Sequence, residues 1–215
     1  GEEALGHARG GAPADHGAHV DLGELVVGEV DDVVAGLLQV RHDLGALLAP
    51  GDAHEAELMA AAMVADLRPN YVRLPRADMP LFLDGAVAIG RASVLRQGTD
   101  VALLGTGTMT YQLLMAAEQL AYAGVQAEVV HFSTIKPLDE AAIVAAAQKC
   151  SRVVTAEEGQ IAGGFGSAVA EVLSEKLPVK VLRLGVRDQF GESGTVAELW
   201  QKHGLDVNSI VRSVV

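Results

Sequence analysis

The sequence predicts an α/β fold, a three-layer α/β/α arrangement around a mostly parallel sheet of about five strands. Three observations lead there. Apolar runs rich in Val or Leu at 101–104, 125–132 and 152–156 are each bounded by Gly, Pro or Asp, as buried strands are. Each run precedes a segment with helical spacing of its apolar residues. Alternation of this kind implies βα units, a parallel sheet and helices packed on its faces.

The totals narrow the class. The chain has 215 residues, half of them hydrophobic but only 4% aromatic, so the core is built of Ala, Val and Leu. A net charge of −12 argues against a nucleic-acid surface and against binding to anionic lipid. One cysteine, Cys150, excludes a disulfide framework and a multi-thiolate metal site. With no leader and no apolar run of about 18 residues, no membrane span and a cytoplasmic location are expected.

Residues 1–49 read as irregular or poorly ordered. They hold no aromatic and no lysine, and Gly, Ala and His break any period. His16 and His19 with Asp15 and Asp21 offer a metal reading, but solvated histidines fit a Gly-rich segment better. An out-of-frame reading of GC-rich DNA also yields this composition.

From Pro50 the text changes. Asp52 and Glu55 have capping-box spacing, with Asp52 accepting from the third helical amide and Glu55 reaching back. The helix they open carries Ala56, Met59, Ala60, Met63, Val64 and Leu67 on its apolar side and stops at Arg68-Pro69. A short strand over 71–76 follows, bearing Arg73 and Arg76. Two guanidiniums at a strand end suit a phosphate, since each is a planar fork of donors; the alternative is two surface arginines. Residues 77–84 form a connector, the best domain boundary in the chain, and 86–96 an edge strand.

Gly105-Thr-Gly107-Thr-Met-Thr110 joins strand to helix, where backbone amides can meet an anion. Thr110 replaces the third glycine of a dinucleotide fingerprint and Glu128 falls inside the next strand, so a tight turn explains the glycines better. Lys136-Pro137 ends the second strand and Asp139 caps the next helix. Cys150 reads as a small buried hydrophobe. Glu157 and Glu158 are adjacent and point apart, which disfavours a shared proton, and Gly163-Gly-Phe-Gly166 reads as structural. A strand over 179–184, a capping box at Thr195–Glu198, anchors at Leu199 and Trp200, and a helix or strand over 207–214 complete the chain.

The motifs PGDAHEAE, YVRLPR, GTGTM, VVHFSTIKPLDE, VVTAEEGQIAGGFGSAVAEVL and FGESGTVAELWQKHGLD occur in that order. Over about 50–215 the chain resembles the carboxyl-terminal part of a transketolase, above all the separate carboxyl-terminal subunit of split transketolases. Deoxyxylulose-phosphate synthase and the β subunit of pyruvate dehydrogenase share this terminal domain. The resemblance implies that 50–78 are the remnant of a pyrimidine-binding domain and 79–215 the terminal domain. It implies a thiamine-diphosphate and Mg²⁺ enzyme moving a two-carbon ketol unit between sugar phosphates, with this chain inactive alone. Arg73 matches the family's arginine on the substrate phosphate, with Arg76 a weaker companion. The catalytic glutamate of the family lies upstream and is not carried over to Glu24, Glu29 or any other residue. An amino-terminal subunit, or the missing domains, and a homo-oligomer are the expected partners; a non-catalytic assembly module is the alternative.

Overall fold

A computed structural model describes residues 45–215 except 67, 76 and 77. The expectations for 1–44, the histidine metal reading included, lie outside these residues, as do Leu67 and Arg76.

In chain order the elements are β1 (Leu47–Leu48), α1 (Ala53–Ala65), β2 (Tyr71–Val72), β3 (Ser93–Arg96), β4 (Val101–Gly105) and α2 (Met109–Tyr122). They continue with β5 (Ala127–His131), β6 (Thr134–Lys136), α3 (Glu140–Cys150), β7 (Val153–Gln160), α4 (Phe165–Lys176), β8 (Val181–Val186), α5 (Val196–His203) and α6 (Val207–Val214). The large sheet has five strands in the order β3-β5-β4-β7-β8. All its pairings are parallel except that of β3, an antiparallel edge strand.

Alternation along β4 builds the layers. Val101 and Leu103 pack with α2 and α6 on one face, while Ala102 and Leu104 pack with α3 and α4 on the other. All five residues of β4 are buried, which is why the strand reads as an unbroken apolar run. The three-layer expectation stands. The last segment is a helix, capped by Asp206 and tied down where Arg152 donates to the carbonyl of Val214 at 2.6 Å. The capping box at Thr195 and Glu198 closes as expected, and Trp200 packs against the α2-side core.

Several expectations need correction. The second strand ends at His131, and Lys136 belongs to a separate strand. Phe132 donates to the carbonyl of Gly105 at 2.8 Å, turning the chain over the top of the large sheet. β6 then pairs antiparallel with β1 in a small sheet ordered β2-β1-β6. The edge strand shortens to Ser93–Arg96, and the strand at Tyr71 to two residues. β7 runs on to Gln160, because the chain re-pairs with Val186 after an irregularity beyond Ala156. In α1 only Glu55 and Met59 are buried, and Val64 is 84% exposed. The small core of Ala46, Leu48 and Met59 covers one side of that helix, and no described residue buries the other.

β1 and β2 lie on one side of the expected boundary near residue 79 and β6 on the other. Leu47 is in register with both Tyr71 and Lys136, so backbone pairing crosses that point of the sequence.

Candidate functional site: a cleft beside Arg73

Arg73 is placed by β2. Its N–H donates to the carbonyl of Leu48 at 2.8 Å, continuing the parallel pairing, and the exposed side chain swings toward the large sheet. There Nη2 donates to the backbone carbonyl of Glu158 at 2.6 Å. The Glu158 carboxylate in turn accepts from the indole Nε1 of Trp200 at 2.7 Å. These three residues, with Thr106, Thr108 and Met79, line a cleft of about 260 Å³ at the carboxyl ends of β4 and β7. In an open α/β sheet this is the end at which ligands bind.

The two glutamates do separate work. Glu157 is buried and its two oxygens accept from the amides of Phe165 and Gly166, each at 2.8 Å, so it caps α4 from the neighbouring strand. Burial pushes its carboxyl above the ordinary value; the two amides, Arg183 and Arg73 pull the other way and only partly offset it. A Cβ on Gly164 would stand 2.1 Å from Glu157 Oε2, so that glycine exists to let the carboxylate approach. This supports the structural reading of Gly163–Gly166.

The turn at Gly105 is also built for close approach. A Cβ on Gly105 would stand 2.8 Å from the side chains of both Leu113 and Thr110, and Gly107 has φ +57 with its N–H on the carbonyl of Ala49 at 3.2 Å. Thr108 occupies the N-cap position of α2 without a side-chain cap bond. Among the described residues the Oγ1 atoms of Thr106 and Thr108 are buried without a hydrogen-bond partner.

A buried cluster escaped the sequence reading. Asp52 caps α1 through the Glu55 amide at 2.9 Å, but Glu55 does not close the box on Asp52. Its Oε2 accepts from the Gly51 amide at 2.7 Å and lies 2.8 Å from His131 Nε2. His131 Nδ1 lies 2.7 Å from Thr110 Oγ1. With the ring neutral, Nε2–H donates to Glu55 and Nδ1 accepts from Thr110, an assignment made from the network. Thr110 is fully buried, so the trio is an interlock between α1 and the large sheet and has no exposed nucleophile. Partners 76 residues apart leave no local pattern; the one visible hint was a histidine at the end of a buried strand.

Other candidates do not converge here. Lys136 lies on β6. Cys150 is buried on α3, and burial first, then the Glu128 carboxylate, pushes its thiol up to about 11. Among the described residues no three His, Cys, Asp or Glu side chains stand together as a metal site, and no helix is long and apolar enough to cross a membrane.

Residues 90–210 match the family model described as transketolase, C-terminal domain. The chain is 45% identical over 163 residues to the 6-deoxy-6-sulfo-D-fructose transketolase subunit SqwH of Clostridium sp. strain MSTE9, covering 74% of this chain and 50% of that protein. It is 40% identical over 170 residues to 1-deoxy-D-xylulose-5-phosphate synthase of Thermomicrobium roseum, covering 76% of this chain and 27% of the synthase. Among solved structures, a split gene transketolase described as an inactive β4 tetramer matches with a TM-score of 0.76 at 38% identity. That match covers 79% of this chain and 56% of the other. The chain thus spans half the length of the first relative and about a quarter of the second.

Proposed function

Because the chain belongs to the transketolase family through its carboxyl-terminal domain, we propose that it is the carboxyl-terminal subunit or section of a thiamine-diphosphate-dependent transketolase. The complete enzyme moves a two-carbon ketol unit between sugar phosphates, and an amino-terminal part supplies the rest of the active site. The observation that carries this reading is Arg73 at the cleft beside the carboxyl ends of β4 and β7. A guanidinium has five N–H donors, and the Glu158 carbonyl engages one nitrogen. The remaining fork takes the substrate phosphate, holding the sugar by the end remote from the chemistry. Arg76 is its companion by sequence alone.

Thiamine diphosphate would supply the carbanion chemistry of ketol transfer. The described residues do not fit its diphosphate and Mg²⁺, since no carboxylate cluster suits a metal. We assign cofactor and metal to the amino-terminal part. We assign 50–78 to the end of a pyrimidine-binding domain and 79–215 to the terminal domain, whose large sheet supports packing between subunits. A homo-oligomer in the cytoplasm is the expected assembly, in line with the tetrameric relative.

A second reading has its own observation. The similarity to 1-deoxy-D-xylulose-5-phosphate synthase is compatible with the same domain closing an enzyme of that activity. Both readings are tested by supplying the pure chain with an amino-terminal transketolase subunit, thiamine diphosphate and Mg²⁺, and following ketol transfer and deoxyxylulose-phosphate formation. The first expects no turnover by the chain alone and ketol transfer on mixing. Turnover by the pure chain overturns its incompleteness, and synthase activity on mixing selects the second reading. Arg73→Ala is expected to raise KM for the phosphorylated sugar with a smaller change in kcat.

A further inference from the structure

The chain carries 28 acidic residues against 16 lysines and arginines, yet one cleft reverses that balance. Arg187, Lys202, His203 and Arg212 converge on a hollow of about 390 Å³, with Ser209 and Ser213 also in its wall. No described acidic residue lines it.

The fold brings these side chains from three elements. β8 is the last strand of the large sheet, and Arg187 follows directly on its end. α5 carries Lys202 and His203 in its last turn, and Gly204, at φ +69, leads the chain toward α6, which carries Ser209 and Arg212. Bases in a last helical turn offset the helix dipole. That role does not require two helices to aim at one hollow, and it does not apply to Arg187, which follows a strand.

Two acids stand near without closing the cleft. Glu192 pairs with Lys202, and Asp206 caps α6 by accepting from the Ser209 amide at 3.1 Å. Arg212 Nη2 donates to Ser209 Oγ at 2.8 Å, which occupies one nitrogen of its fork. The Arg187 side chain makes no hydrogen bond or ion pair among the described residues. Both arginines and Lys202 are exposed, so a solute in the cleft reaches all three.

Arginine presents a planar fork of donors that matches phosphate oxygens in pairs, and lysine adds a point charge. Two forks on separate elements, a third cation and two serine hydroxyls suit adjacent phosphate groups better than a single one. The volume of about 390 Å³ falls within the ~300–1,000 Å³ of small-molecule sites. We infer that this cleft binds a linear polyphosphate, either free pyrophosphate or the phosphate chain of a larger small molecule. It shares no lining residue with the cleft beside Arg73, so the inference does not rest on the role given to Arg73.

Isothermal titration calorimetry of the 215-residue chain tests it, at about 150 mM salt so that scattered surface charge is screened. The probes are orthophosphate, pyrophosphate, ATP without Mg²⁺, and citrate as a polyanion that has no phosphate. Pyrophosphate is expected to bind about tenfold more tightly than orthophosphate or citrate. Arg187→Ala and Arg212→Ala should each weaken it about tenfold, while Arg73→Ala leaves it unchanged. The Arg187 side chain holds nothing in the fold, so Arg187→Ala should melt with the wild type and its lost affinity reports the site itself. ATP as tight as pyrophosphate or tighter supports the chain of a larger molecule, and weaker ATP supports the free anion. Citrate binding as tightly as pyrophosphate overturns the inference, because the cleft then reads charge alone. So does a pyrophosphate site that Arg73→Ala removes and the other two variants keep, or no pyrophosphate binding at millimolar concentration.

Discussion

Glu55 and His131, 76 residues apart in sequence, meet at 2.8 Å with both side chains buried, and the far nitrogen of the imidazole meets Thr110 at 2.7 Å. One carboxylate oxygen thus holds the Gly51 turn, the start of α1 and the end of β5 together.

Replacing His131 with Phe should destabilise the chain by about 2–4 kcal/mol, because Glu55 and Thr110 both lose a buried partner. Equilibrium urea unfolding measures this. A double-mutant cycle with Glu55→Gln should give a coupling of about 1 kcal/mol or more; additive effects would show that the contact carries no energy of its own.

Gly164→Ala places a Cβ 2.1 Å from Glu157 Oε2 and 2.4 Å from the carbonyl of Gln160. Neither atom is the end of a free side chain, since Glu157 is pinned by two amides. A loss of about 1–3 kcal/mol is expected. Gly191→Ala, whose Cβ meets nothing within 4 Å, is the control and should be near neutral in the same thermal scan.

Glu157 makes stability depend on pH in an uncommon direction for a carboxylate. Its pKa in the fold lies above the ordinary 4.5. Over that window the folded chain keeps a proton that the unfolded chain has released, so stability falls as pH rises from 4.5 through the raised value and levels off beyond it. Glu157→Gln should remove this fall and lower stability by about 1 kcal/mol on the acid side, for one lost amide bond, so that the two curves converge as pH rises. Melting temperature against pH for the two proteins checks it; parallel curves would refute it.

Cys150, buried and with its thiol pushed up to about 11, should be inert in the native chain. A thiol reagent at pH 8 is expected to label it only as fast as the chain unfolds, and fully in denaturant. Rapid native labelling would contradict the packing of α3 against the sheet.

The large sheet was legible because its strands are buried on both faces, so Val101–Gly105 and Ala127–His131 announce themselves as apolar runs. Caps were legible when both partners lie within three residues, as at Thr195 and Glu198. The same local reasoning found the Asp52 cap but misled at Glu55, where a distant imidazole competes for the carboxylate and wins. β1 and β6 have two and three residues, too short for any period to register. Arg73 could be proposed as a phosphate ligand from its motif. That the hydroxyls of Thr106 and Thr108 lack a partner among the described residues could not be read, because being unpartnered is a property of the surroundings and leaves no trace in the residue.

The crossing of β1 between β2 and β6 also bears on how such proteins can be divided in evolution. A gene break between α1 and β4 would take away the strand that β6 pairs with and the carboxylate that His131 relies on. Each half would then carry raw backbone and an unmatched buried polar group. The joint between halves cannot drift freely through this region, and splitting or fusion is confined to places where no imidazole is left behind.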